Sequence, residues 1–464
     1  MRHLARFLWP VVLPAVAIGG RAQSGAPSKD EEEAGKELAR IEELFLEGQY
    51  RKVRNAYERL AARFPDTGAG QRAARRAKPS ALLGSRDLMR NGPSANRVDV
   101  VVMGDGYVLG KLNSFDDLAK SVPTMFAQNE VFGEYFAYLD FLSAGVVSEE
   151  EGLDGYGREA KTALGAHILP GNSVDHVWAD VALVRGVLED AGENDGYAIV
   201  FVPLGTVGSG GNDVAVVAGR DPREMLHEWG HAFAELQDEY ATDTSDRGGV
   251  VSWINVSDSE DEERVPWRHW LWAKVPGIGV YEGADGRVRG AFKPTASGCL
   301  MEEGEAYCSV CREAIVLRIY QHADPIEDAR VPSAPGVEAE GELAGEGPHR
   351  FEVRTLRPRE HALEVEWWVL PEREAPPPSG DPGQRPRALR GPLSPIAAKP
   401  ARHSRAKDGT HSFELDPEEL EPGRYRVIAR AKDTTEFRGE RFPWVLKDER
   451  GLLESERAWW VVVP

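Results

Sequence analysis

Apolar positions recur at helical spacing twice near the start of the chain. Residues 30–46 place Ala34, Leu38, Ile41, Leu44 and Phe45 on one side, and residues 50–64 do the same with Tyr50, Val53, Ala56, Tyr57, Leu60 and Phe64. The break at Glu47-Gly48-Gln49 predicts a helical hairpin over 23–66. One hairpin cannot bury its face alone, so it should pack on the next domain or on a partner. Residues 67–96, rich in Ala, Arg, Gly and Ser, read as a linker with a short helix. A buried strand follows over 98–103, then a turn at Gly104-Asp105-Gly106-Tyr107. Residues 114–128 read as a helix kinked or restarted at Pro123. An apolar segment spans 135–147, and helical spacing returns over 175–190.

The strand at 197–202 ends at Pro203 and leads into a glycine-rich loop, 205–211. That loop lacks the lysine of a phosphate loop. Residues 213–218 then read as a short edge strand. Residues 241–300 are long and irregular, and 311–322 read as a helix. A second linker is predicted over 323–345. Short alternating runs near 351–353, 363–369, 424–431 and 458–463 predict an immunoglobulin-like β-sandwich over 346–464, with a Pro/Arg-rich loop at 376–405.

The chemistry concentrates in residues 221–240. Asp221 suits an N-cap, Pro222 the first helical position, and Glu224 can complete a capping box. Met225, Trp229, Ala232 and Leu236 form one apolar stripe. His227 and His231 lie one turn apart on another face, so both imidazoles can reach one metal ion. With Glu228 between them they make H-E-x-x-H, the zinc-peptidase pattern. Zinc in a catalytic site takes three protein ligands and a water, with Glu228 as general base on that water. Strict metzincin spacing would put the third ligand at Gln237 after a glycine at Ala234, and it fails. Asp238 is the favoured third ligand, with Glu239 as the alternative. The strand, helix, strand, edge strand and motif helix over 97–322 predict an α/β (α+β) zincin-like catalytic domain. Tyr240 and Tyr107 are candidate electrophiles. His269 with Trp253, Trp267, Trp270 and Trp272 predicts a core under the long loop.

Composition narrows the rest. The 464 residues carry a formal net charge of −20, which argues against nucleic acid or anionic membrane as partners. Residues 1–22 read as a secretory signal: Arg2, His3 and Arg6 precede an apolar run, and Gly20-Arg21-Ala22 offers a cleavage site. No later run is apolar enough to span a membrane, so an exported, soluble protein is expected: periplasmic, extracellular or cell-surface. The three cysteines, Cys299, Cys308 and Cys311, allow one disulfide and one thiol, or no disulfide; a structural role is expected. Asn255-Val256-Ser257 is a formal glycosylation sequon.

Residues 227–240, HEWGHAFAELQDEY, resemble the H-E-x-G-H…L-x-D-E-Y signature of the IgA-peptidase family of metallopeptidases. Further segments agree in order, from Asn96-Arg97-Val98-Asp99 through Phe292-Lys293-Pro294 and Cys299-Leu300-Met301 to the stretch from Tyr307 to Ala314. The resemblance implies a zinc-dependent endopeptidase acting on protein or peptide substrates. It also implies that Met301 is the methionine of a Met-turn; the residues alone say only that it is core. Lys293 stands where arginine is common, which bears on substrate preference. The competing expectation is an inactive zincin used as a binding module.

Overall fold

In a computed structural model the described residues are 28–169, 175–203, 207–242, 252–344, 347–373, 403–406 and 408–464. The expected signal segment, the start of the glycine-rich loop and nearly all of the Pro/Arg-rich loop lie outside them.

The described residues open with three helices: α1 (Lys29–Leu46), α2 (Tyr50–Arg63) and α3 (Gly68–Arg76). Ser28 caps α1 by accepting from Glu31 N at 3.1 Å, and Asp30, Glu31 and Glu32 complement the helix dipole. The hairpin does find a surface to pack on. The Phe45 ring lies where a Cβ on Gly84 or Gly145 would collide with it, so two glycines of the neighbouring sheet make its seat. Tyr57 Oη donates to Leu83 O at 2.7 Å, fixing the same docking.

That sheet holds β1 (Ala81–Met89), β2 (Val98–Gly104), β3 (Leu139–Val147), β6 (Tyr197–Val202), β7 (Ser209–Gly211) and β8 (Val214–Ala218), in the order β1-β3-β2-β6-β8-β7. The central strands are parallel, and β1 and β7 run antiparallel at the two ends. Helices α4 (Leu112–Ala119), α5 (Val122–Gln128) and α6 (Glu130–Glu134) connect β2 to β3. A small hairpin, β4 (His167–Leu169) and β5 (His176–Trp178), and α7 (Val181–Ala191) precede β6. Helix α8 (Pro222–Ala234) follows β8 directly.

Alternate strand residues feed opposite cores, as the pleat requires. Val100, Val102, Ile199 and Phe201 face the larger core with α8, while Val101, Met103, Val200 and Val216 face the smaller one with α7. Next come α9 (Arg268–Trp272), the ribbon β9 (Tyr281–Ala284) and β10 (Arg287–Lys293), and α10 (Ser309–His322), which packs beside α8.

Two four-stranded sheets close the chain. One contains β11 (Ile326–Arg330), β13 (His349–Thr355), β15 (His403–Arg405) and β16 (Thr410–Leu415). The other contains β12 (Glu342–Ala344), β14 (Glu364–Pro371), β17 (Gly423–Lys432) and β18 (Glu454–Val463). All pairings are antiparallel except β12 with β18. Phe351 and Phe413 from one sheet meet Trp367 and Trp459 from the other in a shared core.

A buried charged joint fastens these sheets to the α/β part. His361 donates from Nδ1 to Glu134 at 2.8 Å and from Nε2 to Asp433 at 2.7 Å. Tyr135 and Tyr320 hydroxyls donate to the other Asp433 oxygen at 2.9 and 2.7 Å.

Several local expectations differ from what is observed. Residues 175–190 are helical only from Val181, because His176–Trp178 form β5. Residues 67–96 hold α3 and an end strand of the main sheet, β1. Its Ser85, Arg86 and Asp87 conceal it from an apolar pattern, because an end strand buries less. Residues 323–345 contribute β11 and β12 to the C-terminal sheets. The strand at the end of the sheet is β7, cut from the glycine-rich loop, while β8 lies between β6 and β7.

Candidate metal centre

Helix α8 starts as its sequence requires. Asp221 accepts from Arg223 N at 2.9 Å and Pro222 occupies the first turn. Glu224 does not close a capping box. Its carboxylate accepts from Gly208 N at 3.0 Å and Ala218 N at 3.1 Å, binding the ends of β7 and β8 to the helix. Trp229 and Phe233 stack on each other and meet the Tyr197 ring edge-on, which seats α8 on β6. Gly230 is required by closeness: a Cβ there would lie 2.8 Å from Met301 Sδ. Met301 is fully buried against the helix one residue before His231.

The helix stops at Glu235, which adopts the left-handed conformation (φ 56°) without being glycine. The chain then folds back. Leu236 O accepts from His231 Nδ1 at 2.6 Å, and Leu300 O accepts from His227 Nδ1 at 2.9 Å. A carbonyl only accepts, so each Nδ1 carries the proton, and each Nε2 is turned toward the other. The two Nε2 atoms are 3.2 Å apart, and Asp238 Oδ1 is 3.1 Å from both. Two ring nitrogens and a carboxylate oxygen thus converge on one point. Histidines oriented through Nδ1 by backbone carbonyls are a common support of metal ligands. The donor set fits a divalent metal that accepts nitrogen and oxygen, and it is open on the cavity side.

Asp238 is placed by its flanks. Asn255, fully buried, accepts from Gln237 N at 2.9 Å and donates to Gln237 O at 2.8 Å. Asp285 N donates to Asp238 O at 2.9 Å, and Glu239 N donates to Met301 O at 2.7 Å. Asn255 therefore has a structural task, and its burial denies a glycan access to the sequon. Glu239 is fully buried and turned away from the two histidines.

The electrostatics are those of a tight cluster. Burial pulls both histidines down, but Asp238 outweighs it and leaves them above the ordinary histidine value. Burial works against the Asp238 carboxylate, yet His231 and His227 hold it far below the usual range. Burial pushes Glu228 up to about 8, with His227 opposing and Asp238 and Glu224 adding.

A cavity of about 940 Å³ opens over this cluster. Its walls include β7, Glu228, Trp178, Trp253 and Tyr240. The Tyr240 ring lies nearly parallel to His227, centroids 6.3 Å apart. Tyr107 packs on Phe115 and does not line this cavity. The tryptophans expected as one core separate: Trp267 and Trp270 are buried, Trp253 lines the cavity and Trp272 is exposed. His269 donates to Glu313 at 2.6 Å within that core.

Sequence reasoning missed the use of the glycines. A Cβ on Gly210 would strike Glu228 O and lie 2.6 Å from His231 Cβ, so glycine lets β7 run alongside the metal-facing turn of α8. The signal was present as glycines directly before a strand and helix.

A mixed sheet with His227, Glu228 and His231 on the helix after β8, and a carboxylate returned by the chain, makes a candidate metal centre. Residues 87–276 match the family model described as IgA Peptidase M64. Over that stretch the chain is similar to that family, whose members are metallopeptidases, hydrolases acting on peptide bonds. No helix among the described residues is long and apolar enough to cross a membrane. No curated protein matches the chain. Among solved structures, the endo-beta-1,4-mannanase from Thermotoga petrophila is similar at 13% identity and TM-score 0.15, over 76% of this chain and 62% of that one. That likeness carries no argument about fold or activity, and this chain spans less than two thirds of the mannanase.

Proposed function

We propose that the protein is an exported zinc-dependent endopeptidase with a zincin-like catalytic domain that begins with β1 at Ala81 and runs to 322. The N-terminal helices and an immunoglobulin-like sandwich that begins with β11 at Ile326 flank it and position substrates or the enzyme. The observation that carries the reading is the convergence of His227 Nε2, His231 Nε2 and Asp238 Oδ1 beside Glu228 in an open cavity.

His227, His231 and Asp238 would hold the ion, and Asp238 rather than Glu239 is the third ligand. When bound, zinc supplies Lewis acidity, making a water acidic near neutral pH and drawing electrons from the scissile carbonyl. Glu228 takes the proton from the attacking water and later gives it to the leaving nitrogen, so the C–N bond breaks to yield a neutral amine. A nearby cation would bring the Glu228 pKa below its metal-free value and keep it ready as a base. The outer edge of β7 offers backbone N–H and C=O groups to an extended peptide, giving affinity without demanding particular side chains. Trp178 and Trp253 supply apolar wall for substrate side chains. Met301 supports the site from beneath by fixing Gly230 and Glu239 N.

The test uses zinc-loaded protein lacking residues 1–22, assayed on unfolded casein and a broad peptide library. Cleavage by wild type, lost in Glu228→Gln with zinc retained, supports the reading. A zinc-loaded wild type that cleaves nothing in the library would leave only a binding role.

A further inference from the structure

A second cluster of donor side chains lies behind the first. Glu239, Cys299, Cys308 and Cys311 present ligand atoms all within 4.8 Å of one another. Cys299 Sγ and Cys311 Sγ are 3.8 Å apart, and Glu239 Oε1 is 3.1 Å from Cys311 Sγ and 3.8 Å from Cys308 Sγ. All three cysteines are free. We infer that these four residues form a closed, structural zinc site separate from the catalytic one.

Three observations converge on this. The first is spacing. Sulfurs bonded to one tetrahedral zinc at about 2.3 Å stand about 3.7 Å apart, close to the separations found. The second is the surroundings. Glu239, Cys299 and Cys311 are buried, and Cys308 is half-buried. The Glu239 carboxylate accepts from Asn255 Nδ2 at 3.0 Å and Thr295 Oγ1 at 3.3 Å, both neutral donors. Lys293, the nearby cation, is spent on the Glu239 carbonyl and the Glu302 carboxylate. A buried carboxylate beside three thiols keeps its charge at least cost when a cation joins it. The third is support of the sulfurs. Cys308 precedes α10 and Cys311 sits in its first turn, where the helix N-terminus favours thiolates. Cys308 N also points at Cys299 Sγ, 3.4 Å away.

Three thiolates and one carboxylate select a thiophilic divalent ion and leave no position open for water. The assignment stands without the peptidase reading. Its consequence does rest on that reading: the second ion would tie together the residue after Asp238, the turn carrying Met301 and the start of α10. A disulfide is the rival state of these cysteines; it would bond one pair and strand the third thiol beside Glu239.

The full chain without its first 22 residues is purified in zinc without chelator, as wild type and as His227→Ala/His231→Ala. Elemental analysis should find a second zinc equivalent in wild type, and one equivalent retained in the double variant. The double variant reloaded with cobalt(II) should show intense thiolate-to-cobalt charge-transfer absorption in the near ultraviolet. That readout needs no cysteine variant to fold. Cys299→Ser in the double-histidine background should remove the remaining equivalent. A double-histidine variant holding no metal and showing no such absorption would overturn the inference, as would a native disulfide mapped by non-reducing peptide mass analysis. A single equivalent in wild type, unchanged in the double variant, would instead count against the peptidase reading alone.

Discussion

Asp238 and Glu239 are consecutive acidic residues that belong to opposite kinds of place. Asp238 faces a cavity with two histidines, and Glu239 lies among three cysteines. In extended chain, successive side chains point to opposite sides, so one short segment serves both clusters. The same backbone is held by Asn255, Asp285 and Met301, whose bonds set the register that decides which acid goes where. On the readings proposed above, the open cluster would exchange ligands and the other would hold its neighbours still.

The largest expected effect lies on the open side. Glu228→Gln should lower kcat by about 10²–10⁴-fold, the usual worth of a general base, while bound zinc stays unchanged; steady-state peptide hydrolysis with elemental analysis checks both. Loss of zinc along with activity would mean that Glu228 acts through the metal site's integrity.

A third buried charged cluster sharpens the contrast, because it satisfies itself without a metal. His361 lies between Glu134 and Asp433. His361→Ala would leave two buried carboxylates without their cation, at a cost of about 3–5 kcal/mol, read by denaturant unfolding. Its pH dependence has a definite sign. Burial opposes the charged imidazole, but Asp433 and Glu134 raise it from 6.5 to about 9. The raised group stabilises fully below pH 6.5, and that contribution is lost as pH rises through about 9. Glu134 and Asp433 are depressed despite burial, chiefly by His361, so their contribution is present above the ordinary carboxylate range and lost in acid. The unfolding midpoint of wild type relative to His361→Gln should therefore shrink on either side of mildly acidic pH. A flat difference across pH 5–10 would contradict this pairing.

Smaller effects test the backing of the open site. Gly230→Ala should gain helix propensity but force Met301 to move, for a net loss of about 1–3 kcal/mol. Pairing it with Met301→Ala should recover part of the loss; equal additive losses would mean the two residues do not oppose each other. The smallest change is expected at Glu235. Glycine there relieves the left-handed strain, offset by the lost Arg318 contact, for a gain under about 1 kcal/mol in thermal unfolding.

What could be read in advance follows from how local each signal is. The α8 cap, its apolar stripe and the placement of His227, Glu228 and His231 depend on one helix period, and 221–234 contain all of it. The buried strands at 98–103 and 197–202 announce themselves as apolar runs. β7 has no such pattern, because its three residues are one serine and two glycines chosen for closeness to α8. Glu224 satisfied a capping rule in sequence, yet the ends of β7 and β8 claimed its carboxylate. The choice between Asp238 and Glu239 depended on Asn255, Asp285 and Met301, all distant in sequence. For the same reason, the meeting of Glu239 with Cys299, Cys308 and Cys311 could not be read from cysteine spacing.

The central claim is that His227, His231 and Asp238 hold the catalytic zinc. Anomalous diffraction from zinc-loaded crystals at the zinc absorption edge tests it most directly. The expected map has a peak bounded by His227 Nε2, His231 Nε2 and an Asp238 oxygen, vanishing in His231→Ala. A peak that draws Glu239 to the two histidines, or no peak between them at all, would contradict it.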